Sequence, residues 1–256
     1  MNILLTNDDG IECEGLLLLA SALRKKSGYN VWIIAPDSNR SGVSHSISFS
    51  TPPLKLTDRG GHNWSCSGTP ADCVMMAVLG FLPVKFDLIV SGINVGANMG
   101  TDIIYSGTAA AARQAALHGY AAVALSLEGK PPFYWEETAA FAAENIEQFA
   151  ALWKPDTFIN VNFPNIPDVK ETVITFPSRR RYNDSLEIFK AKDGKQYCFV
   201  NFGDIITKPE HGSDEEAVTS NKVSASPVFI HPVVRRDLCD CAPSYAAVDP
   251  RPESHE

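Results

Sequence analysis

Short, wholly apolar runs alternate along the chain with longer segments in which apolar residues recur at helical spacing, a pattern that predicts an α/β fold. Ile3-Leu4-Leu5 reads as a buried strand. Leu16, Leu19, Ala20 and Leu23 then fall at i, i+3, i+4 and i+7, the apolar stripe of a helix from about Gly15 to Ser27. Glu12 and Glu14 precede that helix, Arg24-Lys25-Lys26 close it, and Gly28 suits its stop. Val31 to Ala35 is a second buried strand, ended by Pro36, so the three elements form a parallel pair with a right-handed crossover. The alternation continues. Phe86 to Val90 reads as a strand, Ala109 to His118 as a helix closed by Gly119, and Ala121 to Leu127 as a strand. A long helix carries Trp135, Ala139, Ala142, Ile146, Phe149 and Trp153 on one face, and Phe158 to Phe163 forms the next strand.

Two regions break the pattern. Residues 45–67 contain short strands punctuated by Pro52-Pro53 and Gly60-Gly61, an expected excursion from the main sheet. A helix follows, with Thr69 as N-cap, Pro70 at its first position, Asp72 at its third, and Val74, Ala77 and Val78 on its apolar face. Beyond about residue 165, Val173 to Phe176, Ser185 to Lys192, Gln196 to Phe202 and Lys222 to Val228 read as strands with no helix between them. Asp193-Gly194 suits a two-residue hairpin turn of type I′. The expected organisation is one domain over residues 1–256. It comprises a core of about 1–165, a C-terminal β-hairpin and oligomerisation region of about 166–232, and a loose tail of about 233–256.

Composition narrows the class. Among 256 residues, 45% are hydrophobic and 20% charged, which excludes general disorder. The net charge of −8 argues against a binder of nucleic-acid duplexes. A small phosphorylated substrate stays open, because a bound metal inverts the local field. No run reaches the ~20 apolar residues of a membrane span, and acids arrive by Asp8, so neither a membrane anchor nor a secretory leader is expected. Six cysteines are too few for a disulfide scaffold, and a cytoplasmic protein with free thiols is the simplest reading. Cys239 and Cys241 lack the further ligands that zinc needs.

The candidate chemistry lies where strands end. Thr6-Asn7-Asp8-Asp9-Gly10 places two adjacent carboxylates at the carboxyl end of the first strand, the edge where open α/β sheets bind ligands. Either this is a solvated turn, since Asp and Gly form turns readily, or the mutual repulsion is relieved by a hard divalent cation. Asn39-Arg40-Ser41-Gly42 follows the second strand. Asn94 and Asn98 lie in a Gly-rich loop from Ser91 to Gly100 whose spacing is neither a dinucleotide fingerprint nor a P-loop. Tyr105-Ser106-Gly107-Thr108 opens a helix with no acid in its first turn. That start is either an anion site with hydroxyl donors or an ordinary Ser/Thr cap. Other phosphatase chemistries lack their motifs: no Asp stands two residues beyond a nucleophilic Asp, no Cys precedes Arg at thiol-phosphatase spacing, and no G-x-S-x-G elbow occurs. A water nucleophile activated by metal remains.

Asn7-Asp8-Asp9-Gly10, Ala35-Pro36-Asp37 with Asn39-Arg40-Ser41-Gly42, Gly68-Thr69-Pro70, Ser91-Gly92-Ile93-Asn94 and Tyr105-Ser106-Gly107-Thr108, in this order over residues 1–128, resemble the SurE (survival protein E) family. Asp214 to Val218 and Ser224 to Pro227 are similar to its C-terminal pattern. The resemblance implies a Rossmann-like three-layer domain with a mostly parallel sheet and an extended hairpin that builds homodimers and homotetramers. It also implies a metal-dependent phosphomonoesterase that hydrolyses nucleoside 5′- and 3′-monophosphates, some members also trimming polyphosphate. A broad phosphatase and a non-turning-over metal- or nucleotide-binding regulatory domain are the alternatives. By resemblance, Asp8, Asp9, Ser41 and Asn94 ligate one divalent cation, Mg²⁺ or Mn²⁺. Asn98, Ser106, Gly107 and Thr108 hold the phosphate, and Asp8, Asp9 and Asn98 are catalytic. Cys13-Glu14 stands where the family usually has Ala-Pro, and nothing from Phe229 onward matches clearly.

Overall fold

β1 (Asn2–Thr6), wholly buried from Ile3 onward, is the strand from which the sheet is built in both directions. In the computed structural model, which describes residues 1–49 and 52–232, it pairs in parallel with β2 (Asn30–Pro36) and with β5 (Leu88–Val95). From β2 the chain passes through β3 (Leu56–Gly60) to β4 (Asn63–Cys66). From β5 it moves the other way to β6 (Ala122–Leu127) and β7 (Thr157–Phe163), then adds β8 (Thr172–Ile174) and β11 (Val223–Phe229). Among the described residues the sheet has nine strands in the order β3-β4-β2-β1-β5-β6-β7-β11-β8. The six from β4 to β7 are parallel, and β3 and β11 run antiparallel to their neighbours β4 and β7. This is the Rossmann-like order, and its direction reverses between β1 and β5.

Helices cover both faces, giving the three layers expected. α1 (Glu14–Arg24) and α4 (Trp135–Ala151) pack with Ile3, Leu5, Val90 and Leu125 in one core. α2 (Pro70–Val78) and α3 (Gly107–Leu117) pack with Leu4, Ile34, Ile89 and Ala124 in the other. α2 begins with the capping box read in the sequence: the Thr69 side chain accepts from the Asp72 amide, and Asp72 accepts from the Thr69 amide. Ala109, Ala111, Ala112 and Ala115 are wholly buried, so α3 lies close against the strands.

Several expectations are corrected. β5 does not stop at Val90 but continues to Val95, so Asn94 sits on a strand. The continuation is irregular: register shifts between Ser91 and Asn94, the Gly92–Ile93 peptide is cis, and Gly92 has φ +129°. A Cβ on Gly92 would fall 2.2 Å from the Leu125 carbonyl oxygen, so only glycine fits. The two strands expected to leave the sheet, β3 and β4, belong to it. β4 pairs with β2 and extends it, and the Arg24 guanidinium ties it down through the Gly61 carbonyl and Asn63. β8 and β11 likewise join the main sheet.

Beyond residue 165 a helix does intervene, α5 (Asp214–Thr219), which at six residues is too short for periodicity to reveal. β9 (Ser185–Lys190) and β10 (Gln196–Asn201) form the expected hairpin, but not with a type I′ turn. Gly194 donates to Ala191 and Ala191 donates to Lys195, while Gly194 alone in the loop has a positive φ. Those contacts make a three-residue loop with a glycine bulge. The expected tail of 233–256, with Cys239 and Cys241, lies outside the described residues.

Candidate active site

The switch point between β1 and β5 is where the two carboxylates emerge. Asn7 shapes their turn, its side chain donating to the Gly10 carbonyl at 2.8 Å and accepting from the Gly10 amide at 3.2 Å. Arg40 donates its amide to the Asp8 carbonyl at 2.7 Å, which pins the loop after β2 beside the turn. Asp8 is 3% exposed, and its Oδ1 accepts the Thr108 hydroxyl at 2.5 Å. Its carboxylate lies against the first turn of α3: a Cβ on Gly107 would fall 2.8 Å from that of Asp8. Desolvation pushes the Asp8 carboxyl up to about 6, the Thr108 hydrogen bond opposes this, and the Asp9 charge adds to the rise. Asp9 is also raised by burial, its Oδ2 accepting the Val95 amide at 3.1 Å.

The acid-free first turn of α3 therefore has a negative partner from another element. Asp8 itself sits at that helix start, where the aligned peptide dipoles favour an anion. Ser106 is the N-cap, its Oγ accepting from the Ala109 amide at 3.0 Å and keeping a hydroxyl proton to donate. The Thr108 hydroxyl, expected to face a phosphate, is engaged with Asp8.

Asn94 donates both amide hydrogens to backbone, to the Val95 carbonyl at 3.1 Å and the Gly96 carbonyl at 2.7 Å. Its orientation leaves Oδ1 as an acceptor for a ligand. Among the described residues no three His, Cys, Asp or Glu side chains converge, so two carboxylates need neutral oxygens to complete a cation site. The Asn94 carbonyl and the exposed Ser41 hydroxyl are of that kind, and such an all-oxygen set fits a hard divalent cation. Asp8, Ser41, Asn94, Asn98 and Ser106 border one cavity of about 860 Å³. Asp9 borders an adjoining hollow with Glu12, Cys13 and Ser38, and Val95 borders both.

Asn98 is held by residues the sequence reading passed over. Its amide donates to Asn162 Oδ1 at 2.8 Å, its carbonyl accepts from Asn160 and Asn162, and its Nδ2 donates to Ser126 at 2.8 Å. The available signal was Ile159-Asn160-Val161-Asn162: buried polar side chains in an apolar strand require partners. A second network, whose contacts the sequence did not reveal, braces the loop beyond Asn98. Asp214 accepts from the amides of Gly100, Ser178 and Glu215 at 2.8 to 2.9 Å. Arg180, nearly buried, bridges Asp102 at 2.9 Å and Glu215 at 3.4 Å.

A family model described as Survival protein SurE matches residues 3–184. The chain belongs to the SurE family. A relative from Brucella canis, described as 5′-nucleotidase SurE, is 37% identical over 238 residues, covering 90% of this chain and 92% of the relative. One from Kosmotoga olearia with the same description is 37% identical over 236 residues, covering 90% and 92%. The crystal structure of SurE protein from Aquifex aeolicus superposes with a TM-score of 0.82 at 32% identity, over 94% of this chain and 98% of that one. Against the usual SurE pattern, Cys13 here caps α1 without a side-chain hydrogen bond, and burial together with the Asp9 charge raises its thiol pKa.

Proposed function

We propose that the protein is a metal-dependent phosphomonoesterase that hydrolyses nucleoside 5′-monophosphates, and 3′-monophosphates, to nucleoside and phosphate. The observation carrying this reading is the Asp8–Asp9 pair at the switch point, with Asp8 buried against the start of α3 and open to a cavity large enough for a nucleotide. The SurE relatives described as 5′-nucleotidases support the same activity. Asp8, Asp9, Asn94 and Ser41 would hold one divalent cation, Mg²⁺ or Mn²⁺ by the hardness of the donor set. The chemistry such a cation supplies is neutralisation of phosphoryl charge and a more acidic water.

The chain's own residues do the positioning. The Ser106 hydroxyl and the amides of Gly107 and Thr108 offer donors to phosphate oxygens at a helix start. Asn98, clamped by Asn160, Asn162 and Ser126, presents its amide to the same cavity. Thr108 holds the Asp8 carboxylate in place and keeps it ionisable, because its hydrogen bond favours the charged form. The hairpin of β9 and β10 serves as an arm for self-association into a homodimer or homotetramer.

A phosphate-release assay with Mg²⁺ and with Mn²⁺, over 5′- and 3′-nucleotides and polyphosphate, tests the activity. Nucleotide turnover that disappears in excess chelator is expected. Full turnover after metal removal overturns the metal assignment. Turnover of polyphosphate alone makes the protein an exopolyphosphatase, and binding without turnover makes it a regulatory domain.

A further inference from the structure

The cavity extends well past its phosphate end. A cation and a phosphoryl group fill a small part of 860 Å³, a volume within the roughly 300–1,000 Å³ of sites that enclose whole small molecules. Its lining includes three aromatic side chains, Tyr105, Tyr182 and Phe202. Tyr105 is fixed at both backbone ends, its amide donating to Asp102 and its carbonyl accepting from Ser44, while its side chain is 61% exposed. Tyr182 donates its hydroxyl to the Asp102 carboxylate, 2.7 Å from each oxygen, so its ring is oriented and its polar end engaged.

Phe202 leaves β10 with 86% of its surface exposed. Its neighbour Gly203 donates to Asp184 at 3.0 Å, and a Cβ on Gly203 would fall 2.0 Å from the Asn183 carbonyl oxygen. The two feet of the hairpin are thus packed together, and Phe202 borders the same cavity as Tyr182. Among the described residues none of the three rings packs against another aromatic ring. Tyr105 and Phe202 are largely exposed and Tyr182 is half-buried.

We propose that Tyr105, Tyr182 and Phe202 form a stacking platform for the nucleobase of the substrate, an assignment that rests on the nucleotide reading of the phosphate end. Two of the polar side chains here already have partners. Asp102 is taken by Arg180 and Tyr182, and the Thr101 hydroxyl donates to the Arg180 carbonyl at 3.0 Å. The three rings meet a base by its face, and the engaged Asp102 and Thr101 side chains do not read its hydrogen-bonding edge. Stacking of this kind accepts any base and favours the larger ring system.

The test uses the full chain with Mg²⁺ and compares AMP with ribose 5-phosphate, which keeps the phosphate and sugar but lacks the base. Binding is measured by calorimetry and turnover by phosphate release, in wild type, Phe202→Ala and Tyr105→Ala. The wild type is expected to bind AMP more tightly than ribose 5-phosphate. Each variant is expected to narrow that ratio by roughly five- to 150-fold, the range for losing one aromatic partner of a base. Substituting GMP for AMP should leave the ratio nearly unchanged. Equal affinity for AMP and ribose 5-phosphate in the wild type, or a ratio that neither variant moves, overturns the platform. Absence of turnover with either compound fails the phosphatase reading instead, and the binding ratios still decide the platform.

Discussion

Asp8 combines burial, an adjacent like charge and a helix start, and these make opposite demands on its ionisation. Its carboxyl is raised from 3.8 to about 6. In the metal-free protein the folded state therefore holds a proton that the unfolded state releases as pH rises between these values. Stability falls through that window, by an amount on the order of 3 kcal/mol once pH exceeds the folded value. Asp8→Asn should abolish turnover and make the metal-free protein more stable than wild type at pH 7, with the gain vanishing near pH 4. Thermal unfolding of the two proteins at both pH values measures it, and a gain independent of pH would exclude this origin. Thr108→Val removes the hydrogen bond that lowers the Asp8 pKa, so the acid limb of the kcat/KM profile should move to higher pH. A hydrogen bond to a charged group is worth about 1.5–3 kcal/mol, which corresponds to roughly ten- to hundredfold in kcat/KM. Ser106→Ala should lower the rate without moving that limb, and identical pH profiles for the two variants would contradict the division of roles. The Asp8–Asp9 pair was visible in the sequence as two adjacent acids at a strand end, which the residues alone left open between a solvated turn and a cation site. The direction of the Thr108 hydroxyl was not, since its partner lies 100 residues away in the chain.

Elements around the site differ in how they are held, and that difference sets which changes spread. α3 is held by its Ser106 cap and by the burial of nine of its 11 residues. The turn Gly100–Ile104 depends instead on Asp214, which satisfies three buried amides with one carboxylate. Asp214→Ala leaves those donors unpaired, and at about 1–3 kcal/mol for each the variant should lose several kcal/mol of stability. Denaturant midpoints give the loss, and hydrogen exchange at Gly100 and Ser178 should rise well before global unfolding. Protection unchanged at both amides would show that the turn is held by something else. Strands were readable as apolar runs, and the long helices as stripes, because burial dictates both patterns. The pattern did not say which neighbour β4 would pair with, nor that β5 would run on through Gly92 to Asn94, because pairing and irregular register are decided between strands. α5 went unread because its six residues, of which only Ala217 and Val218 are apolar, are too few to carry a stripe. Its Asp214 was visible only through the family resemblance.

At the largest scale, two cores among the described residues close over a nine-stranded sheet, and the hairpin belongs to neither. Strand register puts Phe189, Tyr197 and Phe199 on one of its faces and Leu186, Ile188, Cys198 and Val200 on the other. A strand pair lying on its own domain would keep one face polar; here both are apolar. The six large apolar side chains among these are 48 to 59% exposed, and the Phe189 and Phe199 rings meet edge to face at 5.5 Å. An isolated two-stranded hairpin is marginal in water, and on the proposed reading of this hairpin as an arm a second copy presenting the same arm would supply a covering surface of matching character. Phe189→Lys combined with Phe199→Lys removes that character while leaving Phe202 and the phosphate end untouched. Because both side chains are exposed in the protomer, the unfolding midpoint of a monomeric form should change little. Light scattering of the wild type should give a multiple of the 27.8 kDa chain mass, and the double variant should give a smaller species. If both proteins have the same mass, the hairpin is not the interface. If the variant falls to the chain mass with its AMP-to-ribose 5-phosphate binding ratio intact, the arm assembles the molecule and each protomer carries a whole site.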